Sequence, residues 1–347
     1  MAHDPTNPRL LSDLLPRVSR SFYLSLRILP SGVRPSLGLA YLFCRAADTI
    51  ADTTLLPPDQ RLVQLERYRL AFDKADLSFL PELHRRLGER QSSPAERELL
   101  RRLDACFDLL AGLGSDDQGR IRELVLTLTQ GMRLDLTVFP AQDGETTGGL
   151  AALSSRRDLD QYTYYVAGCV GEFWTRTVVA HCPALRGWDV TAMVEHGVRF
   201  GKGLQLTNIL RDLAHDLRLG RCYLPREDLE RLGLTPEELL EPANLGRVRP
   251  LLNELLDLSL SHYQAGWRYT LAIPRREWRL RLACAWPLLI GGATLARIRA
   301  SRRLLDPAVR LKIARHQVYA IMLGSFLSVW SNRALQYQYA RLRDRHG

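Results

Sequence analysis

The chain has 347 residues, 46 % of them hydrophobic and 25 % charged, the balance of a folded globular protein and not of a long disordered or membrane-embedded one. Its formal net charge is +10, which favours anionic partners. However, Lys74, Lys202 and Lys312 are its only lysines and its arginines are spread along the chain, so it lacks the basic block expected of a nucleic-acid binder.

Apolar residues recur at three- and four-residue spacing, as in Leu62, Leu65, Tyr68 and Phe72, and alternating β-branched runs are nearly absent. The periodicity predicts helices over 8–15, 18–29, 34–53, 58–75, 79–89, 94–112, 117–138, 158–179, 188–215, 235–239, 246–271, 276–302 and 307–341. Pro30-Ser31-Gly32, Pro57-Pro58 and the loop from Phe139 to Gly149 punctuate the series. The stretch 218–234 reads as a long ordered loop, followed by Thr235 as cap and Pro236 as first position of a short helix. No linker, repeat or low-complexity segment divides the chain, so a single all-α domain over 1–347 is expected.

Cys44, Cys106, Cys169, Cys182, Cys222 and Cys284 form no CxxC pair and read as reduced thiols of a cytoplasmic protein. The N-terminus shows no charged leader followed by an apolar core. The uncharged runs 282–296 and 317–332 are too short and too broken to span a bilayer. The basic C-terminal segment could still rest on a membrane surface as a peripheral contact.

Two acidic pairs stand out. Asp48 and Asp52 are one turn apart on a helix carrying Leu39, Leu42, Phe43, Ala46 and Ala47. Two like charges there repel, and burial makes both costly. Gln205, Asn208, Asp212 and Asp216 step by three, four and four residues, forming one polar stripe on a helix whose other faces are leucine and isoleucine. A lone Asp-x-x-x-Asp is ordinarily a solvated helix face. Two such pairs on apolar helices point instead to hard divalent cations such as Mg²⁺, which take one or two carboxylates, waters and substrate phosphate. A third stretch places Tyr162, Val166 and Val170 on one helical face, with Gly168 and Gly171 allowing close approach of a neighbouring helix or a ligand.

These stretches together resemble the squalene/phytoene synthase family over roughly residues 11–330. The resemblance rests on Ser19-Arg20-Ser21-Phe22, Tyr41 to Asp52, Tyr162-x-x-x-Val166-Ala167-Gly168, Leu206 to Asp212 with Asp216, and Gly220-Arg221-Cys222-Tyr223-Leu224-Pro225. It implies an all-α isoprenoid synthase (trans-prenyltransferase) fold with a central cavity, the two Asp motifs on opposite walls and Mg²⁺ between them. Residue by residue, it implies metal binding by Asp48, Asp52, Asn208, Asp212 and Asp216. Diphosphate or substrate contacts fall on Arg20, Ser21, Arg45, Gln205, Arg211 and Arg221. Phe22, Tyr41, Val166 and Val170 would line a prenyl channel, and Tyr162 would stand near the reacting carbons.

The implied reaction joins two farnesyl diphosphates head to head through presqualene diphosphate. Cys284 to Ala296, with Ala-Thr-Leu-Ala at 293–296, resembles the squalene-forming branch, and Lys312 with Arg315 resembles a stretch used near NADPH. Ala283 and Ala314 depart from that branch. The segment Gly220 to Asp228 reads more like the bacterial members that form phytoene or dehydrosqualene. Gly201-x-Gly203 follows no strand, so it is no dinucleotide fingerprint.

Overall fold

The structure is a computed structural model that describes residues 8–19, 22–139 and 150–344. It is built almost wholly of helix, and the backbone separates into two compact units. The first comprises Met1–Leu136 with Phe173–Arg186, and the second Thr137–Glu172 with Gly187–Gly347.

The first unit contains α1 (Pro8–Val18), α2 (Phe22–Ile28), α3 (Arg34–Ala51), α4 (Pro58–Asp73), α5 (Leu80–Leu83), α6 (Pro94–Arg101), α7 (Leu103–Ala111) and most of α8 (Ser115–Val138). Its core is aromatic. Phe43 on α3 meets Phe72 edge-on at 4.9 Å and Phe107 at 5.0 Å. The buried Tyr68 hydroxyl donates to the Phe43 carbonyl at 2.8 Å. These contacts bury one side of α3 and leave the Asp48 side accessible. The predicted helix 94–112 is broken at Arg102, whose backbone (φ −106°, ψ 21°) leaves the helical range. Pro94 follows the cap Ser93, whose side chain accepts from the Glu96 amide.

The second unit opens with β1 (Ala151–Ala152), then α9 (Arg156–Thr163), a π turn over Tyr164–Gly168, α10 (Cys169–His181), which crosses into the first unit's sequence, and α11 (Val190–Arg218). β2 (Arg221–Cys222), α12 (Arg226–Arg231), α13 (Leu245–Ala272), α14 (Trp278–Ala300), α15 (Arg315–Ser328) and α16 (Asn332–Asp344) follow. β1 and β2 pair in parallel, Ala151 with Arg221 and Ala152 with Cys222. Sequence periodicity gave no sign of a strand two residues long. The short helix at 235–239 is a 3-10 turn over Glu237–Leu240. Thr235 caps it: the Glu238 amide donates to its hydroxyl, and its own amide donates to Glu238 Oε2 at 2.8 Å.

The predicted helix 307–341 is instead irregular up to 314 and then divides into α15 and α16. Asp306 anchors the irregular part by pairing with Arg303 and accepting from the Ala308 amide at 2.9 Å. Ser331 breaks the helix and caps α16, accepting from the Ala334 amide at 3.3 Å.

Backbone contact sets how α11 packs. A Cβ placed on Gly201 would lie 2.1 Å from the Ala167 carbonyl oxygen, and one on Gly171 would lie 1.9 Å from that of Gly197. The small residues near Tyr162 are therefore a helix-packing seam, and Gly197 and Gly201 supply its other half. On another face of α11, Thr207 meets Tyr263 Oη at 3.0 Å, and Ser259 donates to the Gly203 carbonyl at 3.1 Å.

Candidate active site

The first acidic pair closes α3. Asp52 is its C-cap, and the Asp52 amide donates to the Asp48 carbonyl at 2.8 Å. Arg61, almost fully buried, donates to the Ala51 carbonyl at 3.3 Å and steadies the same helix end. The Arg45 guanidinium lies 3.7 Å from Asp48 and forms an ion pair with Glu96 of α6. Burial, reinforced by the like charge of Asp52, raises the Asp48 pKa from 3.8 to about 7 against the opposing pull of Arg45. Water still reaches 44 % of the Asp48 side chain, so solvent screens part of that cost. Tyr41, two turns before Asp48 on the same face of α3, donates to the Val18 carbonyl at 3.4 Å.

The second pair lies on α11 as the spacing predicts. Leu206, Thr207, Ile209, Leu210, Leu213, Ala214 and Leu217 are buried, while Asn208 is exposed and Gln205, Asp212 and Asp216 are half-buried. The Asn208 amide donates to Gln205 Oε1 at 3.4 Å. Arg211 grips both oxygens of Asp212, with Nε 2.9 Å from Oδ1, and this raises the Arg211 pKa. Just beyond α11, Gly220 takes φ +78°, a left-handed turn that suits glycine, and hands the chain to Arg221 in β2.

Tyr162 is buried and stacks on Tyr223 at 4.8 Å, and Tyr223 in turn meets Phe139 edge-on at 5.1 Å. The strict four-residue register predicted for Tyr162, Val166 and Val170 does not hold. The π turn adds a residue, with the Cys169 amide donating to the Tyr164 carbonyl, and both valines are half-buried where Tyr162 is enclosed. π turns of this kind are frequent at functional sites. Around it, Lys202 pairs with Asp160 at 2.7 Å and Tyr164 donates to Glu172 at 3.2 Å.

Lys312, in the irregular segment three residues before α15, and Arg315, the first residue of α15, are both exposed. Arg20 and Ser21 lie outside the described residues, as does the side chain of Phe22. Sequence reasoning missed Glu96 and Tyr223. Glu96 is 51 positions from the arginine it holds, beyond any local pattern. Tyr223 sits inside a motif that was noticed, and its aromatic character was the available signal.

The donor set suits Mg²⁺ only in part-protein form. Among the described residues, no three His, Cys, Asp or Glu side chains gather into a group able to hold a metal alone. Each pair offers two hard carboxylates, the number Mg²⁺ takes when phosphate and water complete its shell. Asp212 can join such a shell once Arg211 releases an oxygen.

The squalene/phytoene synthase family profile matches residues 15–317. The chain belongs to the squalene/phytoene synthase family. It is 30 % identical over 257 residues to a bifunctional lycopene cyclase/phytoene synthase of Colletotrichum graminicola, across 72 % of this chain and 40 % of the relative. It is 25 % identical over 321 residues to a squalene synthase of Schizosaccharomyces pombe, across 92 % of this chain and 65 % of that one. The chain thus spans well under half of the first relative and about two thirds of the second. The solved complex of TcSQS with the ligand E5700 superposes with a TM-score of 0.74 at 23 % identity, covering 99 % of this chain and 93 % of that one. This places the family chain in the all-α isoprenoid synthase fold.

Proposed function

We propose that this family member joins two farnesyl diphosphates head to head into presqualene diphosphate and then reduces that product to squalene with NADPH. The observation that carries the first step is the pair of acidic stripes. Each is the accessible face of an otherwise buried helix, and each has an arginine against it, Arg45 at Asp48 and Arg211 at Asp212.

When bound, Mg²⁺ supplies the Lewis acidity that loosens the allylic diphosphate. Asp48 with Asp52, and Asp212 and Asp216 with Asn208, are the groups that would hold it. Arg211 moves from Asp212 to the diphosphate, and Arg45 and Arg221 neutralise the rest of the leaving charge. Val166, Val170 and Tyr41 give the prenyl chains an apolar wall that keeps water from the cation. The C2=C3 bond of the second substrate attacks C1 of the first, and loss of one proton closes the cyclopropane. Tyr162, held by its stack on Tyr223, is the hydroxyl group that handles that proton.

For the reductive half, Lys312 and Arg315 provide cations for the cofactor phosphates. A second reading, release of dehydrosqualene, presqualene diphosphate or phytoene without reduction, is favoured by Ala283, a small residue buried in α14, and by Ala314 between the two cations. Incubation with farnesyl diphosphate and Mg²⁺, with and without NADPH, separates the readings. Squalene formed only with NADPH supports the first. Equal yields of an unreduced product in both arms support the second.

A further inference from the structure

Helix α15 is turned inside out for a water-facing helix. Its buried positions are Ile321, Ser325 and Ser328, and hydrogen bonds satisfy both serines. Trp286 Nε1 donates to Ser325 at 2.8 Å, and Ser328 donates to Gln338 Oε1 at 2.7 Å. The outward positions are Tyr319, Leu323, Phe326, Leu327 and, in the following turn, Trp330, which are 41–84 % exposed. Spacings of four, three, one and three put all five within about a third of the helix circumference. With Tyr337 of α16, this short stretch holds six of the ten large hydrophobic residues exposed among the described residues. Scattered exposed leucines need no explanation, but a contiguous stripe marks an interaction surface.

The surroundings say what covers it. From Pro307 to Arg343 there is no Asp or Glu, while Arg310, Lys312, Arg315, Arg333, Arg341 and Arg343 are basic. The stripe continues onto the start of α14, where Trp278 lies 6.4 Å from Phe326 and 6.1 Å from Trp330, with the Arg279 guanidinium over the Trp278 ring at 5.3 Å. Arg275 and Arg276 are exposed beside it, and Glu277 is the one acidic residue of that edge. Leu327 and Tyr337 also border a cavity of about 570 Å³ between α14, α15 and α16, so the apolar surface extends inward.

We propose that the outward face of α15, with Trp278 and its arginines, docks the protein on an anionic lipid bilayer. Tryptophan and tyrosine suit the headgroup boundary, leucine and phenylalanine enter the acyl layer, and the basic rim pairs with lipid phosphate. A second copy of the chain fits less well, because a two-fold contact through this face would bring two arginine-rimmed surfaces together with no acidic residue between Pro307 and Arg343 to pair them. The proposal stands on this surface alone and is independent of the reaction catalysed.

Flotation of the full chain with phosphatidylcholine vesicles, with and without phosphatidylglycerol, tests it. Wild type is expected to float only with the anionic vesicles and to be released as salt is raised. Leu323→Glu combined with Leu327→Glu should lower the partition coefficient more than about tenfold. Arg275→Gln, Arg276→Gln and Arg279→Gln should cost about fivefold each. All four variants should melt as wild type does, because the replaced side chains are exposed or at the rim, and Val63→Glu, at an exposed apolar position elsewhere, should bind as wild type. The proposal is overturned if wild type ignores both vesicle types, or if the leucine double variant floats like wild type. It is equally overturned if light scattering shows a dimer that the double variant dissolves while wild type fails to bind lipid.

Discussion

Replacing Gly201 by alanine sets two effects of opposite sign against each other. In the middle of a helix, alanine is favoured over glycine by about 1 kcal/mol. At Gly201, however, the new Cβ would lie 2.1 Å from the Ala167 carbonyl oxygen and 2.6 Å from its carbon. Ordinary contact begins near 3.4 Å, so α11 and the π turn must part by at least about 1 Å. Backbone cannot yield as a flexible side chain does, and parting also loosens the Gly171–Gly197 contact. Overpacking of this kind costs about 1–3 kcal/mol or more. Gly201→Ala is therefore expected to destabilise by about 1–2 kcal/mol net, a fall in Tm of several degrees. The control is Gly119→Ala in α8, where nothing lies within 4 Å of the added carbon and the change should stabilise by up to about 1 kcal/mol. Thermal and urea unfolding of the two variants beside wild type gives the comparison. If Gly201→Ala melts at or above wild type, α11 and the π turn are not in backbone contact and the account of that seam is wrong.

Three further outcomes follow from the same geometry. Asp48 has a folded-state pKa raised from 3.8 to about 7, so its contribution to stability is present below pH 4 and is lost as pH rises toward 7 and above. In metal-free protein, Asp48→Asn should accordingly raise Tm at pH 8 and leave it nearly unchanged at pH 4, as scanning calorimetry at the two pH values would show. Asp117 has the opposite sign. Burial alone would raise its pKa, but donation from Arg120, His181 and Ser36 lowers it overall, so its stabilisation is present above pH 4 and is lost in acid below its folded pKa. Asp117→Asn should cost about 2 kcal/mol at pH 7 and flatten the acid limb of the stability profile. Tyr162→Phe keeps the stack on Tyr223 and should slow formation of presqualene diphosphate with KM largely kept. A large rise in KM at unchanged kcat would make Tyr162 a binding residue instead.

Regular helices made much of the site legible in the sequence. The three-four-four spacing of Gln205, Asn208, Asp212 and Asp216 held because α11 runs unbroken through it. The π turn after Tyr162 was hidden, because one extra residue in a helix leaves the apolar pattern continuous while shifting the register. The split between α15 and α16 was hidden for another reason. The outward Leu323 and Leu327 look like core residues in sequence, and Ser325 and Ser328, which are the buried ones, look like surface. The ion pair of Arg45 with Glu96 and the ring stack of Tyr162 on Tyr223 join residues distant in sequence, and only the packed fold brings them together.

The most direct test of the central claim is a Mg²⁺ titration of presqualene diphosphate formation from farnesyl diphosphate, run on wild type, Asp48→Asn and Asp212→Asn. The account predicts turnover that rises with Mg²⁺ in wild type and a loss of about a hundredfold or more in either variant, with the variants still folded by circular dichroism. Turnover close to wild type in either variant, or unchanged farnesyl diphosphate in wild type at saturating Mg²⁺, would contradict it.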